Sequence, residues 1–147
     1  MSTQMHKIIQ TTEHQKYATD AGTRMHNALR MIKIDGDAHV GDAEIISHIL
    51  NMPSVLPLFS PAARTEVPVA GIVRGKFVSR RFDRMLVDAA THRVYILDYK
   101  TDTDKSAFHD KYIAQLREYV ELARQIYPDY KISAMILWTH DWTLESV

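Results

Sequence analysis

From Arg64 to Lys100 the pattern of the chain is that of β-strands, and its second and third runs are separated only by Ala89-Ala90-Thr91-His92. Glu66 to Val73, Phe77 to Asp88 and Arg93 to Lys100 are rich in Val, Ile, Tyr and Phe. Short connections make them three consecutive antiparallel strands. What flanks them is helical. Ala21, Met25, Ala28, Leu29 and Ile32 recur at helical spacing over about Thr19 to Ile34, with Asp20 as N-cap and Gly36 as the closing residue. Asp42 to Leu50 repeats the pattern, and Pro53 to Pro61 reads as a connection lying over the core. After the strands, Phe108 to Tyr127 carries Ile113, Leu116, Val120 and Ala123 on one side and is stopped by Pro128. Lys131 to Thr139 then reads as a last buried strand. The order predicts an α/β fold with a mixed central sheet, three antiparallel strands followed by a helix and a strand, flanked by helices.

A length of 147 residues suits one domain spanning 1–147, with about residues 1–18 expected as a flexible N-terminal segment. No stretch approaches the roughly 20 apolar residues of a membrane span, and Met1 to Gln10 lacks signal-peptide features, so a cytoplasmic location without membrane association is expected. Cysteine is absent, which excludes disulfides, thiolate zinc sites, a cysteine nucleophile and a cysteine-held iron–sulfur cluster. Any metal must use oxygen or imidazole. With 18 acidic and 18 basic residues the chain is neutral, which argues against a strongly basic binding module. A local patch remains open at Arg74, Lys76, Arg80, Arg81 and Arg84, read either as a DNA contact or as charges guarding a strand edge.

The chemistry concentrates around the Ala89–His92 connection. If Asp88 pairs with Arg93, antiparallel register sets Asp83 opposite Asp98, on one face with Cβ atoms about 5 Å apart. Two carboxylates so close either force one to hold a proton or share a cation. Alternation puts Lys100 on the same face as Asp98 and turns Tyr99 to the other. The two aspartates and a Tyr99 backbone carbonyl form part of the oxygen shell of a hard dication such as Mg²⁺, beside an ammonium able to stabilise charge on a phosphate. An Asp and a Lys two apart on a strand are also common as an exposed ion pair. Here, however, Val94-Tyr95-Ile96-Leu97 runs directly into Asp98, so the pair ends an apolar strand.

Four motifs then resemble one family. Arg81-Phe82-Asp83-Arg84 followed by Ile96-Leu97-Asp98-Tyr99-Lys100-Thr101 is similar to the paired G-x-(I/V/F)-D-R and (V/I)-D-Y-K-T motifs of RecB-family nucleases. Gly22-Thr23-Arg24-Met25-His26 resembles the family's G-x-x-x-H, and Gln115-Leu116-Arg117-Glu118-Tyr119 its Q-x-x-x-Y. They occur in family order, and Ala134 to Thr139 is similar to the last strand of AddA-type members. The resemblance is to the C-terminal nuclease domain of AddA/RecB-type helicase-nucleases, within the PD-(D/E)XK superfamily.

That resemblance implies a restriction-endonuclease-like core and a Mg²⁺- or Mn²⁺-dependent deoxyribonuclease, an exonuclease of double-strand-break repair. It implies that His26, Asp83 and Asp98 hold metal, that Lys100 is catalytic, and that Glu66 resembles an acidic position near the metal. Gln115 and Tyr119, four apart on one helical face, are expected to bond the lysine or a DNA phosphate. Gly22 is expected to let a neighbouring strand or DNA approach. Implied partners are DNA, single-stranded or with duplex ends, a helicase region of the same parent chain, and a second helicase-nuclease subunit. The chain has no G-x-x-x-x-G-K-(S/T) loop and hence no motor, and without cysteines it departs from the cluster-bearing branches. Two competing readings are a non-catalytic docking module with a nuclease fold and a stand-alone structure-specific nuclease.

Overall fold

A computed structural model describes residues 20–147. The expected flexible segment, about 1–18, lies outside the described residues. Helix α1 covers residues 20–30 of the described chain, and Asp20 is itself helical rather than a cap. It is followed by β1 (Lys33–Asp35), β2 (Ala38–Val40), α2 (Ala43–Leu50) and a 3₁₀ turn (Leu56–Phe59). Next come β3 (Arg64–Val73), β4 (Lys76–Asp88), β5 (Arg93–Lys100), α3 (Lys105–Ile126), β6 (Lys131–Trp138) and β7 (Thr143–Ser146). The large sheet has the order β3-β4-β5-β6-β7, with β5 and β6 parallel and the other neighbours antiparallel.

The helix expected to continue to Ile34 stops four residues earlier. Lys33–Asp35 instead pairs with Ala38–Val40, and Gly36, at φ 58°, turns this small hairpin. The Asp-Gly-Asp run is a hairpin signal that outweighs the apolar spacing of Ile32 and Ile34. In α2, by contrast, the Asp42 carboxylate accepts the Ile45 N–H at 3.0 Å as the sequence predicts. The final strand β7 was not anticipated from the sequence, because four residues, Thr-Leu-Glu-Ser, carry too little periodicity.

Two cores lie on opposite faces of the sheet. On one, Leu29 and Ile32 together with Ile45, Ile49 and Phe59 cover Leu97, Tyr99 and Leu137. On the other, Leu116, Tyr119 and Leu122 of α3 cover Val67, Phe82, Ile96 and Ile136. Strand alternation therefore sends Tyr99 toward α1 and α2, and Asp98 and Lys100 toward α3. The Asp98–Lys100 pair emerges where β5 runs out of apolar cover.

Arg84 corrects an expectation. It is only 2% exposed, so it cannot belong to a DNA-contacting patch. Its guanidinium donates to Tyr99 Oη at 2.8 Å, Leu58 O at 3.0 Å, Leu29 O at 2.8 Å and Ile32 O at 3.2 Å, and it lies 4.2 Å from the centre of the Phe59 ring. Leu29 and Ile32 stand at the end of α1, where helix carbonyls lack partners and carry partial negative charge. Arg84 caps the helix that bears His26. The Asp83-Arg84 dipeptide thus divides its labour, with Asp83 toward the site and Arg84 fixing the scaffold.

Candidate active site

The β4–β5 ladder holds the expected register from Asp88↔Arg93 to Arg84↔Leu97 and ends one pair before Asp83 and Asp98. Asp83 uses its side chain there instead: Oδ2 accepts the Tyr99 N–H at 2.8 Å. On the opposite side of Asp83, the β3–β4 ladder also skips a position, between Thr65↔Arg84 and Val67↔Phe82. The skipped residue is Glu66, which has φ 53°. A left-handed backbone at a non-glycine strand residue is uncommon and gathers at functional sites. Asp83 therefore sits where β4 is released by both neighbours.

The two aspartates have opposite environments. Asp98 is 3% exposed, and burial followed by the nearby Asp83 charge pushes its carboxyl up to about 7. Burial also acts to raise Asp83, but the neighbouring His26 imidazole and the Tyr99 N–H outweigh it and hold that carboxyl below its ordinary value. The two carboxyls are thus shifted in opposite directions, Asp98 upward and Asp83 downward. Such a divergence is expected where two carboxylates lie close together. His26 Nδ1 lies 3.6 Å from Asp83 Oδ1, and this contact raises the imidazole pKa against the opposing effect of burial. The His26 ring also meets Tyr99 edge-on at 5.4 Å between centroids.

Lys100 Nζ lies 3.0 Å from Asp98 Oδ2 and donates to Gln115 Oε1 at 3.0 Å. Gln115 Nε2 donates in turn to Tyr119 Oη at 2.9 Å. The four-residue spacing on α3 has become a relay from the helix to the lysine. Two residues were missed. Tyr112 places its ring centre 4.2 Å from Lys100 Nζ, and its hydroxyl donates to Asp102 at 2.8 Å. Tyr112 is one turn before Gln115, so the helical stripe Tyr112, Gln115, Tyr119 was available as a signal. Asp102 lies two residues past Lys100 in the loop and offered none.

The donor set suits a hard dication. Asp98 Oδ2 is buried, with the Lys100 ammonium 3.0 Å away. A second carboxylate beside it leaves the site short of positive charge. Among the described residues no group of three His, Asp or Glu side chains forms a metal cage. Mg²⁺, however, is commonly held by one or two carboxylates with waters completing its octahedron. Asp83 and Asp98 meet that requirement, and the His26 imidazole extends it to Mn²⁺.

Two openings flank this cluster. A cleft of about 440 Å³ includes Gly22, His26, Glu66, Arg81 and Asp83 in its lining. A Cβ at Gly22 would lie 3.3 Å from Thr101 Oγ1, so a side chain there would press on the loop after Lys100. A larger groove, about 1400 Å³, begins at Lys100, Tyr112 and Gln115 and passes between α3 and the β3–β4 hairpin. The expected basic patch is thereby divided. Lys76 and Arg80 line the groove, Arg81 lines the cleft 3.6 Å from Glu66, and Arg84 is in the core. Arg80 is ion-paired with Glu118 at 2.6 Å.

No protein-family model matches this chain, and neither does any curated protein.

Proposed function

We propose that this chain is a divalent-metal-dependent deoxyribonuclease with a restriction-endonuclease-like core, acting as the exonuclease domain of a double-strand-break repair helicase-nuclease. The observation that carries the reading is the joined set Asp83, Asp98, Lys100 and Gln115, in which a buried carboxylate and the glutamine hold the lysine ammonium, each at 3.0 Å. The mixed sheet with β5 and β6 parallel around α3 is compatible with that core. The DNA preference and the helicase partner rest on the motif resemblance alone.

Asp83 and Asp98, with His26, would hold Mg²⁺ or Mn²⁺, and Glu66 and the Tyr99 carbonyl are the further candidates. When bound, the metal supplies Lewis-acid polarisation of a phosphodiester and a more acidic water. Lys100 directs its ammonium at a phosphoryl oxygen, stabilising charge as it develops. Gln115 and Tyr119 are positioning residues, since the relay fixes Lys100 before substrate arrives. Asp98 holds that ammonium on the α3 face of β5.

The test is incubation of the purified protein with single-stranded and linear duplex DNA in EDTA, Mg²⁺ or Mn²⁺, with Mn²⁺ binding measured in parallel. Metal-dependent cleavage is expected. Absence of both cleavage and Mn²⁺ binding would contradict the reading and favour a non-catalytic docking module.

A further inference from the structure

The larger groove carries a charge segregation that the neutral sequence conceals. Its lining holds seven lysines and arginines against Glu118 and Glu121. Those two acids are already engaged, Glu118 with Arg80 at 2.6 Å and Glu121 with Arg124 at 2.7 Å. Lys100 belongs to the reacting cluster. The remaining cations are Arg74, Lys76, Lys111 and Arg117, all exposed and without an ion pair among the described residues.

Their placement is built into the fold. Arg74 and Gly75, at φ 52° and 75°, form the two-residue turn between β3 and β4, with both central residues in the left-handed region. The turn carries Arg74 and Lys76 at the hairpin tip. Gln125 of α3 straps the hairpin against the helix, donating to Ile72 O at 2.7 Å and accepting the Ile72 N–H at 3.3 Å. Gly71 admits this strap, because a Cβ there would lie 2.4 Å from Gln125 Oε1. The second wall presents Lys111 and Arg117 from α3. At the Lys100 end the lining includes Tyr112, whose ring centre lies 4.2 Å from the Lys100 ammonium.

We infer that the groove between the β3–β4 hairpin and α3 is a channel for the backbone of a single polynucleotide strand, with Arg74, Lys76, Lys111 and Arg117 holding phosphates distant from the linkage at Lys100. This deepens the nuclease reading and takes its substrate class from it. A positively charged groove that tracks the backbone is how single strands are bound without sequence preference. Uncompensated cations in a concave surface attract a polyanion more strongly than the same charges scattered on a convex one.

The experiment is anisotropy of a fluorescent oligothymidylate in EDTA, where no cleavage competes, over a range of NaCl concentrations. Two double variants reverse the groove charges, Arg74→Glu with Lys76→Glu and Lys111→Glu with Arg117→Glu. A third, Arg93→Glu with Lys131→Glu, makes the same change in net charge at the opposite ends of β5 and β6 from Lys100. Each groove variant is expected to bind about tenfold more weakly and to lower the salt slope by about 1.4, for two lost phosphate contacts at about 0.7 each. The control is expected to stay within about twofold of the parent. All six positions are exposed, and melting curves verify folding. Equal loss in all three variants, no loss in the groove variants, or tighter binding of a duplex of the same length would each overturn the channel. Because binding is read in EDTA and the nuclease reading is judged by cleavage with metal, either can fail while the other stands.

Discussion

Lys100 Nζ stands 3.0 Å from the Oδ2 of Asp98, two residues earlier on the same face of β5, in surroundings where the lysine is largely covered and the aspartate almost wholly so. An exposed pair at this spacing would be worth under about 1 kcal/mol and would mean little. A buried one has a different balance. Desolvation works against both charges, and the proximity of Asp83 adds repulsion, so Asp98 is pushed up to about 7. The arrangement is costly to folding, and the proposed cation would offset that cost.

That cost is measurable without metal. Asp98 has a folded pKa of about 7 against 3.8 ordinarily, so between about pH 4 and pH 7 the folded state retains a proton that the unfolded chain releases. The Asp98 contribution to stability therefore falls as pH rises through that window and is fully lost above it. In EDTA, Asp98→Asn is expected to melt higher than the parent at pH 8, by roughly 5 °C, with the gap closing toward pH 4. Thermal melts across pH check this, and a parent that outlasts the variant at pH 8 would contradict it.

Gln115 should act through Lys100 rather than on substrate. Gln115→Ala removes the acceptor at 3.0 Å and frees the ammonium, so kcat is expected to fall about tenfold with little change in KM. Tyr119→Phe, which loses only the bond to Gln115 at 2.9 Å, should have a smaller effect in the same direction. Steady-state kinetics on a labelled strand separates the two parameters. A rise in KM with kcat intact would instead place Gln115 on the substrate.

Arg84→Met is predicted to destabilise the fold by about 3 kcal/mol, since it leaves carbonyls at the end of α1 and the Tyr99 hydroxyl unpaired in the core. Urea unfolding measures it. Arg81→Met, exposed on the same strand, is expected to change stability by under about 0.5 kcal/mol. Equal effects at the two positions would refute the capping role.

His26→Ala should weaken Mn²⁺ more than Mg²⁺, because imidazole favours the former. Calorimetric titration with each ion distinguishes the outcomes. A uniform loss would assign His26 to holding Asp83 alone.

Much of this was legible because strand arithmetic is rigid. The Ala89–His92 connection set the register that runs to Arg84↔Leu97, and alternation then put Asp98 and Lys100 on one face. The ladder was less regular than that arithmetic at the point of interest. Asp83 departs from pairing because Glu66 interrupts β3 and the Tyr99 N–H turns to a side chain, neither of which has a local signal. Arg84 was misread for a related reason. A charged residue in a basic run suggests a solvated edge, and only the assembled fold brings the end of α1 over it. Likewise the groove's cations come from residues 74 to 124, and their charge is hidden by balance elsewhere in the chain.

The central claim is tested most directly by cleavage of linear DNA in Mg²⁺ by the parent protein, Asp98→Ala and Lys100→Ala, purified in parallel. The account predicts degradation by the parent that EDTA stops, none by either variant, and weaker Mn²⁺ binding for Asp98→Ala alone. Cleavage by either variant at the parent's rate would contradict it.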